Sequence, residues 1–299
     1  MSARPDGNQS AAGAARRRED EHAGSLVLIG GACTATGDAL GTFLDLASAR
    51  DGGLIVGFTT ASVDPGSSAM AWKDDFARAG ARNVEFPIVD RRARAQDPRI
   101  AELVLRAKGI FLGGGDQVTL ISTLGGSRVW RAIREAYAGG AIVGGTSAGA
   151  AALSETVLAG GEIDETGEPV ALHLGSGLGL LGFSSVVDTH FSKRGRLQRL
   201  FRQVAENPEL LGLGIDEDTA MVVNGHRGHV VGNGSVTYVD GRGVRFDNAE
   251  DVAKRGVPLT LSYLRVGIIG AGYTFDLRER ELELLVDESR EAVETPIVK

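Results

Sequence analysis

Short apolar runs, several of them ending in glycine, alternate with segments of helical spacing through the first half of this chain. "SLVLIGG" (25–31) precedes "TGDALGTFLDLASA" (36–49), "GLIVGFTTAS" (53–62) precedes "AMAWKDDFARAG" (69–80), and "NVEFPIV" (83–89) precedes "PRIAELVLRAKG" (98–109). "GIFLGGG" (109–115), a helical stretch at 128–138 and "AIVGG" (141–145) continue the series. A strand that is apolar throughout must be covered on both faces, so the alternation predicts parallel strands with helices above and below. After residue 180 the strands crowd together, and "MVVNGHRGHVVGNGSVTYVDG" (221–241) reads as hairpins with Asn-Gly turns at 224–225 and 233–234. The expected fold is α/β, a three-layer sandwich with a mostly parallel central sheet and β-hairpins in the C-terminal third. A single α/β domain is expected over 24–276.

Composition narrows the function. The net charge of −7 argues against a general nucleic-acid binder. The one cysteine, Cys33, excludes a disulfide within the chain and fits a reducing compartment. Residues 1–23 carry the self-cancelling block "RRREDE" and few large apolar side chains, so a disordered tail without a secretory signal is expected. No apolar run approaches the roughly 18 residues of a membrane helix, and a cytoplasmic location is expected. At the other end Leu277, Leu282, Leu285 and Val286 can share a helical face, so 277–299 is expected as a helix or tail.

Ligands of parallel sheets bind at the carboxyl ends of the strands, where "LIGGA", "FLGGGDQ" and "IVGGTSAGA" all fall. Gly145-Thr146-Ser147-Ala148-Gly149 matches G-x-S-x-G between an apolar strand and a helical start. That pattern sets a nucleophilic serine on a sharp turn whose neighbours must be small, with the next N–H (here Ala148) aimed at a developing oxyanion. The alternative is a tightly packed turn with Ser147 as an N-cap. The glycine loop at 113–117 can bring a second oxyanion donor, Gly114 or Gly115. It lacks the G-x-x-x-x-G-K-[ST] spacing of a phosphate cradle, which argues against a nucleotide.

A serine needs a base. Of the five histidines, His22 lies in the tail, and His226 and His229 flank a turn without a supporting metal-ligand cluster, so no metal is expected. His173 sits in what reads as a glycine-rich loop. His190 ends the apolar strand "FSSVVDTHF" at the carboxyl edge and is the best-placed base. An acid to orient it can come from Asp216, Glu217 or Asp218 at the end of "LGLGI", or from Asp188, which can instead hold substrate. "HFSKRGRLQRLFR" (190–202) sets Arg194, Arg196 and Arg199 beside that base. Arginines bind carboxylates bidentately, so an anionic substrate is expected.

Four ordered blocks, "FLGGGDQ", "GGTSAGA", "GLGLLGFSSVVDTHFSKRGRLQRL" and "GIDEDTA", resemble the cyanophycinases, serine peptidases with a class I glutamine amidotransferase-like, flavodoxin-like fold. The resemblance covers roughly 25–276. It implies Ser147 as nucleophile, His190 as base and Glu217 as orienting acid. It implies Gln117, Asp188, Thr189, Arg194, Arg196 and Arg199 as substrate-pocket residues. It also implies a homodimer, no cofactor, and cyanophycin as substrate, a poly-aspartate with arginine on each β-carboxylate that is released as β-Asp-Arg. The family pattern has glutamine where this chain has Thr189, which is shorter and lacks the amide. An aspartyl or isoaspartyl dipeptidase of the same fold, an α/β-hydrolase esterase and a non-catalytic binding protein are the rival readings. The esterase fold places its histidine last in the chain, whereas His190 precedes Glu217.

Overall fold

In the computed structural model of the chain, residues 24–163, 169–255 and 257–283 are described. The expected tail at 1–23 lies outside them. The strands are β1 (Leu26–Ile29), β2 (Leu54–Phe58), β3 (Asn83–Glu85), β4 (Gly109–Leu112), β5 (Ile142–Thr146), β6 (Thr156–Ile163), β7 (Pro169–Ser176), β8 (Ser185–Thr189) and β9 (Leu211–Ile215). They continue as β10 (Thr219–Asn224), β11 (Arg227–Gly232), β12 (Ser235–Asp240), β13 (Phe246–Asp247), β14 (Leu261–Ser262), β15 (Arg265–Gly270), β16 (Thr274–Asp276) and β17 (Glu281–Glu283). The helices are α1 (Asp38–Leu46), α2 (Pro65–Arg78), α3 (Pro98–Leu105), α4 (Gln117–Leu124), α5 (Arg128–Ala138), α6 (Ala148–Ala152), α7 (Leu197–Glu206) and α8 (Ala249–Arg255).

The strands form a nine-stranded sheet in the order β17-β16-β11-β10-β1-β5-β4-β2-β3. From β1 to β3 every pairing is parallel; from β1 to β17 every pairing is antiparallel. Period-2 geometry sends alternate residues of β1 to opposite faces. Val27 and Ile29 pack with Phe43 of α1 and Phe76 of α2, while Leu26 and Leu28 join Val104, Ile133 and Leu120 from α3, α5 and α4. All four β1 side chains are buried, and each contributes roughly 1.5–3 kcal/mol of apolar burial. Local chemistry sets the helix starts. Asp64, Asp97, Asp116 and Ser127 each accept a backbone N–H of the first turn, and Pro65 and Pro98 occupy positions where no N–H is needed.

The sequence pattern does not announce a second sheet. Six strands in the order β15-β12-β9-β8-β6-β7 form it, with β8 parallel to both β6 and β9. One face shares the large core through Val187, Leu213 and Val236; the other packs Val186 and Val239 on Leu200 and Val204 of α7. The two Asn-Gly sites therefore differ. Asn224–Gly225 turns the β10–β11 hairpin, but 233–234 carries the chain from the first sheet to the second and makes no hairpin. At the C-terminal end, Leu282 pairs with Phe275 in the β16–β17 hairpin, so 281–283 is strand and not helix. Leu285 and Val286 lie outside the described residues. His173 likewise belongs to strand β7 and not to a loop. Among the described residues no helix is long and apolar enough to cross a membrane.

Candidate active site

The site lies where the carboxyl ends of the two sheets meet. β5 of the first sheet delivers Ser147, β8 of the second delivers His190, and the turn from β9 back to β10 delivers Glu217. Backbone bonds tie the sheets together at this edge: the His190 N–H donates to Gly30 O at 2.7 Å, and the Asp218 N–H to Gly31 O at 2.9 Å.

Ser147 sits at φ 53°, ψ −120°, a conformation that an L-residue adopts only under constraint. The constraint is an interlock of glycines. A Cβ at Gly145 would fall 2.5 Å from the Gly149 carbonyl, and one at Gly149 would fall 2.1 Å from Leu112 O. The N-cap alternative is excluded, because the Ser147 side chain makes no capping bond to α6. Its Oγ lies 2.9 Å from His190 Nε2, and His190 Nδ1 lies 2.7 Å from Glu217 Oε1. A carboxylate only accepts, so Nδ1 carries the hydrogen and Nε2 is left to accept from the serine hydroxyl.

The two other carboxylates of the turn are committed elsewhere. Asp216 accepts from Ser192 N–H at 3.0 Å and from the N–H and Oγ of Ser235 at 3.1 and 3.0 Å. Burial raises its proton affinity, yet these bonds outweigh it and hold the carboxyl below its ordinary value. Asp218 binds Asn233 Nδ2 at 2.7 Å. Neither late histidine joins the relay: His226 pairs with Asp276, and His229 contacts Thr274 Oγ1. Among the described residues no group of three His, Cys, Asp or Glu side chains is disposed to hold a metal ion.

Two features escaped sequence reasoning. Gly31, at φ +104°, leaves room for the imidazole; a Cβ there would lie 2.3 Å from His190 Cε1. Its signal was the second glycine of "LIGGA". Cys33 lies 3.7 Å from Thr146 Oγ1, behind the elbow. Burial, joined by the nearby Asp218 charge and opposed by the Thr146 contact, pushes its thiol up to about 11.

Beside Ser147 a recess of about 100 Å³ is lined by Gly115, Gln117, Ala148, Asp188, Thr189 and the three arginines Arg194, Arg196 and Arg199. Gly114 also borders the serine, since a Cβ on it would lie 3.7 Å from Ser147 Oγ. Ala148 N–H opens α6 and so has no helical acceptor. Gln117 Nε2 donates to Leu158 O at 2.6 Å, and Thr189 is buried in the wall.

Asp188 departs from expectation. Only 4% exposed, it accepts from Arg196 Nη1 at 3.2 Å, from both Nε (2.8 Å) and Nη2 of Arg199, and from Thr189 N–H at 2.9 Å. Its carboxylate is closed between two arginines and is not an open contact for a cationic substrate group. Arg194 makes no ion pair among the described residues, so three guanidiniums face one carboxylate. Burial, with help from Arg199 and Arg194 and against the pull of Asp188, lowers the Arg196 guanidinium to about 10.

A serine hydroxyl, an imidazole and a carboxylate placed in that order at a strand–helix elbow are the arrangement that serine peptidases use, and this enzyme is a serine peptidase. Comparison with known proteins narrows it further. The model of peptidase family S51 matches residues 60–231. The cyanophycinase of Synechococcus elongatus is 36% identical over 266 residues, covering 88% of this chain and 82% of that protein. The cyanophycinase of Geminocystis herdmanii is 33% identical over 261 residues, covering 86% and 95%. The chain belongs to peptidase family S51. A crystal structure of a peptidase from an acI-B1 Actinobacterium matches the fold with a TM-score of 0.63 at 24% identity, over 86% of this chain and 98% of that one.

Proposed function

We propose that this enzyme hydrolyses cyanophycin to β-Asp-Arg dipeptides through an acyl-enzyme on Ser147. The carrying observation is that the Ser147–His190–Glu217 relay opens onto a recess where three guanidiniums face one carboxylate. The similarity to the two cyanophycinases supports the choice of polymer.

In this reading His190 Nε2 takes the hydroxyl proton as Ser147 Oγ attacks a backbone carbonyl carbon of the poly-aspartate. The carbonyl π electrons move to oxygen, and the N–H of Ala148 with that of Gly114 or Gly115 stabilises the charge. Glu217 stabilises the imidazolium and holds its tautomer. Collapse of the tetrahedral intermediate breaks the C–N bond, and His190 returns the proton to the leaving amine. Water then attacks the ester with His190 again as base, releasing acid and Ser147. Arg194, Arg196 and Arg199 take the carboxylate of the arginine branch, Asp188 fixes the last two, and Gln117 and Thr189 complete the wall.

The test is mass spectrometry of products after incubation with cyanophycin, with Ser147→Ala as control. We expect β-Asp-Arg from the native enzyme and none from the variant, whose fold is retained. Intact polymer after native incubation refutes the substrate, and turnover by Ser147→Ala refutes the nucleophile.

A further inference from the structure

Gln203 is the unexplained residue of this site. It is fully buried, yet neither its Nε2 nor its Oε1 has a hydrogen-bond partner among the described residues. Buried amides are normally paired, and leaving one unpaired costs free energy. Gln203 also lines the same recess as Ser147 and the arginines. It follows Arg199 by four residues on α7, so the two share a helix face, and with Arg196 at the N-cap of that helix both line the recess.

The amide supplies a donor and an acceptor side by side, and neither arginine supplies an acceptor. A bare anion would satisfy Nε2 and leave Oε1 unpaired. A group that satisfies both atoms carries an N–H next to a carboxylate, the arrangement found at the α-carbon of an N-acylated amino acid. The excess of guanidiniums over carboxylates in the recess favours the same anionic group.

We propose that Gln203 is a specificity-determining residue, donating from Nε2 to the α-carboxylate and accepting at Oε1 from the adjacent amide N–H of an acylated amino acid in this recess. On the proposed function, that amino acid is the β-linked arginine branch; only the identity of the branch rests on that reading. The role of Gln203 is to separate branches that carry a carboxylate beside the amide N–H from those with no acceptor there. A site with a buried donor and acceptor strongly rejects ligands that leave them unpaired.

The test uses the full chain in the Ser147→Ala background and measures β-Asp-Arg binding by calorimetry, with and without Gln203→Met. Methionine keeps the volume and removes both polar atoms. We expect binding to weaken by about 10- to 100-fold while Tm holds or rises, because an unpaired buried amide is removed. For β-aspartyl-agmatine, which keeps the amide N–H and has no carboxylate or other acceptor beside it, Gln203→Met should weaken binding less, because only the Oε1 contact is lost. Gln203→Glu, which removes the donor and adds a competing carboxylate, should abolish β-Asp-Arg binding and stands in if the methionine variant does not fold. Unchanged β-Asp-Arg binding overturns the assignment, as does a Tm loss of several degrees with binding intact, which would make Gln203 a purely structural residue. If the Ser147→Ala parent binds N-acetyl amino acids but not β-Asp-Arg, the cyanophycin reading falls, and weaker N-acetyl binding in Gln203→Met still upholds Gln203. Binding of neither class overturns both.

Discussion

Gly31→Ala probes the relay without replacing any of its three side chains. A methyl at this position would lie 2.3 Å from His190 Cε1, 2.4 Å from Nε2 and 2.9 Å from Nδ1. Carbon contacts become comfortable only at about 3.5 Å, so the imidazole must retreat by about 1 Å. The Nε2–Oγ separation is 2.9 Å in the native site. After that retreat it approaches about 4 Å, beyond hydrogen-bond range. A misplacement of about 1 Å costs on the order of 100-fold in rate, and loss of the correctly held base costs on the order of 10⁴-fold. The φ of +104° adds backbone strain of about 1–3 kcal/mol for any residue with a Cβ. We expect kcat on cyanophycin to fall between those bounds, with KM nearly unchanged because the arginine recess is untouched. Tm should fall by a few degrees, read by calorimetry. A folded Gly31→Ala enzyme with kcat within about threefold of native would refute the claim that this glycine makes room for the base.

Two further outcomes follow from the shifted groups. The folded Asp216 holds its proton less tightly than a free carboxyl, so its stabilising effect is present above the ordinary carboxylate range and is lost as pH falls through the lower folded value. Asp216→Asn should therefore cost about 1–2 kcal/mol at neutral pH in urea unfolding, with the gap to native closing as pH drops below about 4. A gap independent of pH would refute the ionised role. Cys33, with its thiol pushed up to about 11, should react slowly with a disulfide reagent at pH 8 and faster as pH approaches that value; rapid labelling at pH 7 would contradict the burial argument.

Several features were legible because their signals are local. The apolar runs marked β1, β2, β4 and β5, since a strand covered on both faces must be apolar throughout. The small residues around Ser147 announced a sharp turn, since nothing larger fits between Gly145 and Gly149. The arginine block beside His190 was visible as a cluster, and Arg194, Arg196 and Arg199 all line the recess.

Which partners those residues take could not be read from the chain. Spacing left Asp216, Glu217 and Asp218 equivalent and only the family resemblance pointed to Glu217; the path of the turn between the two sheets is what brings it to His190. Asp188 had the right charge for a substrate contact, but folding closes it between Arg196 and Arg199. The second Asn-Gly resembled the first, yet its flanking strands pair in different sheets. Gln203 carried no sequence signal beyond its spacing, and only burial without a partner singles it out. Periodicity and turn chemistry act over a few residues and are written in the chain. Sheet pairing and the partner of a buried charge join residues far apart in sequence, and only the packed structure decides them.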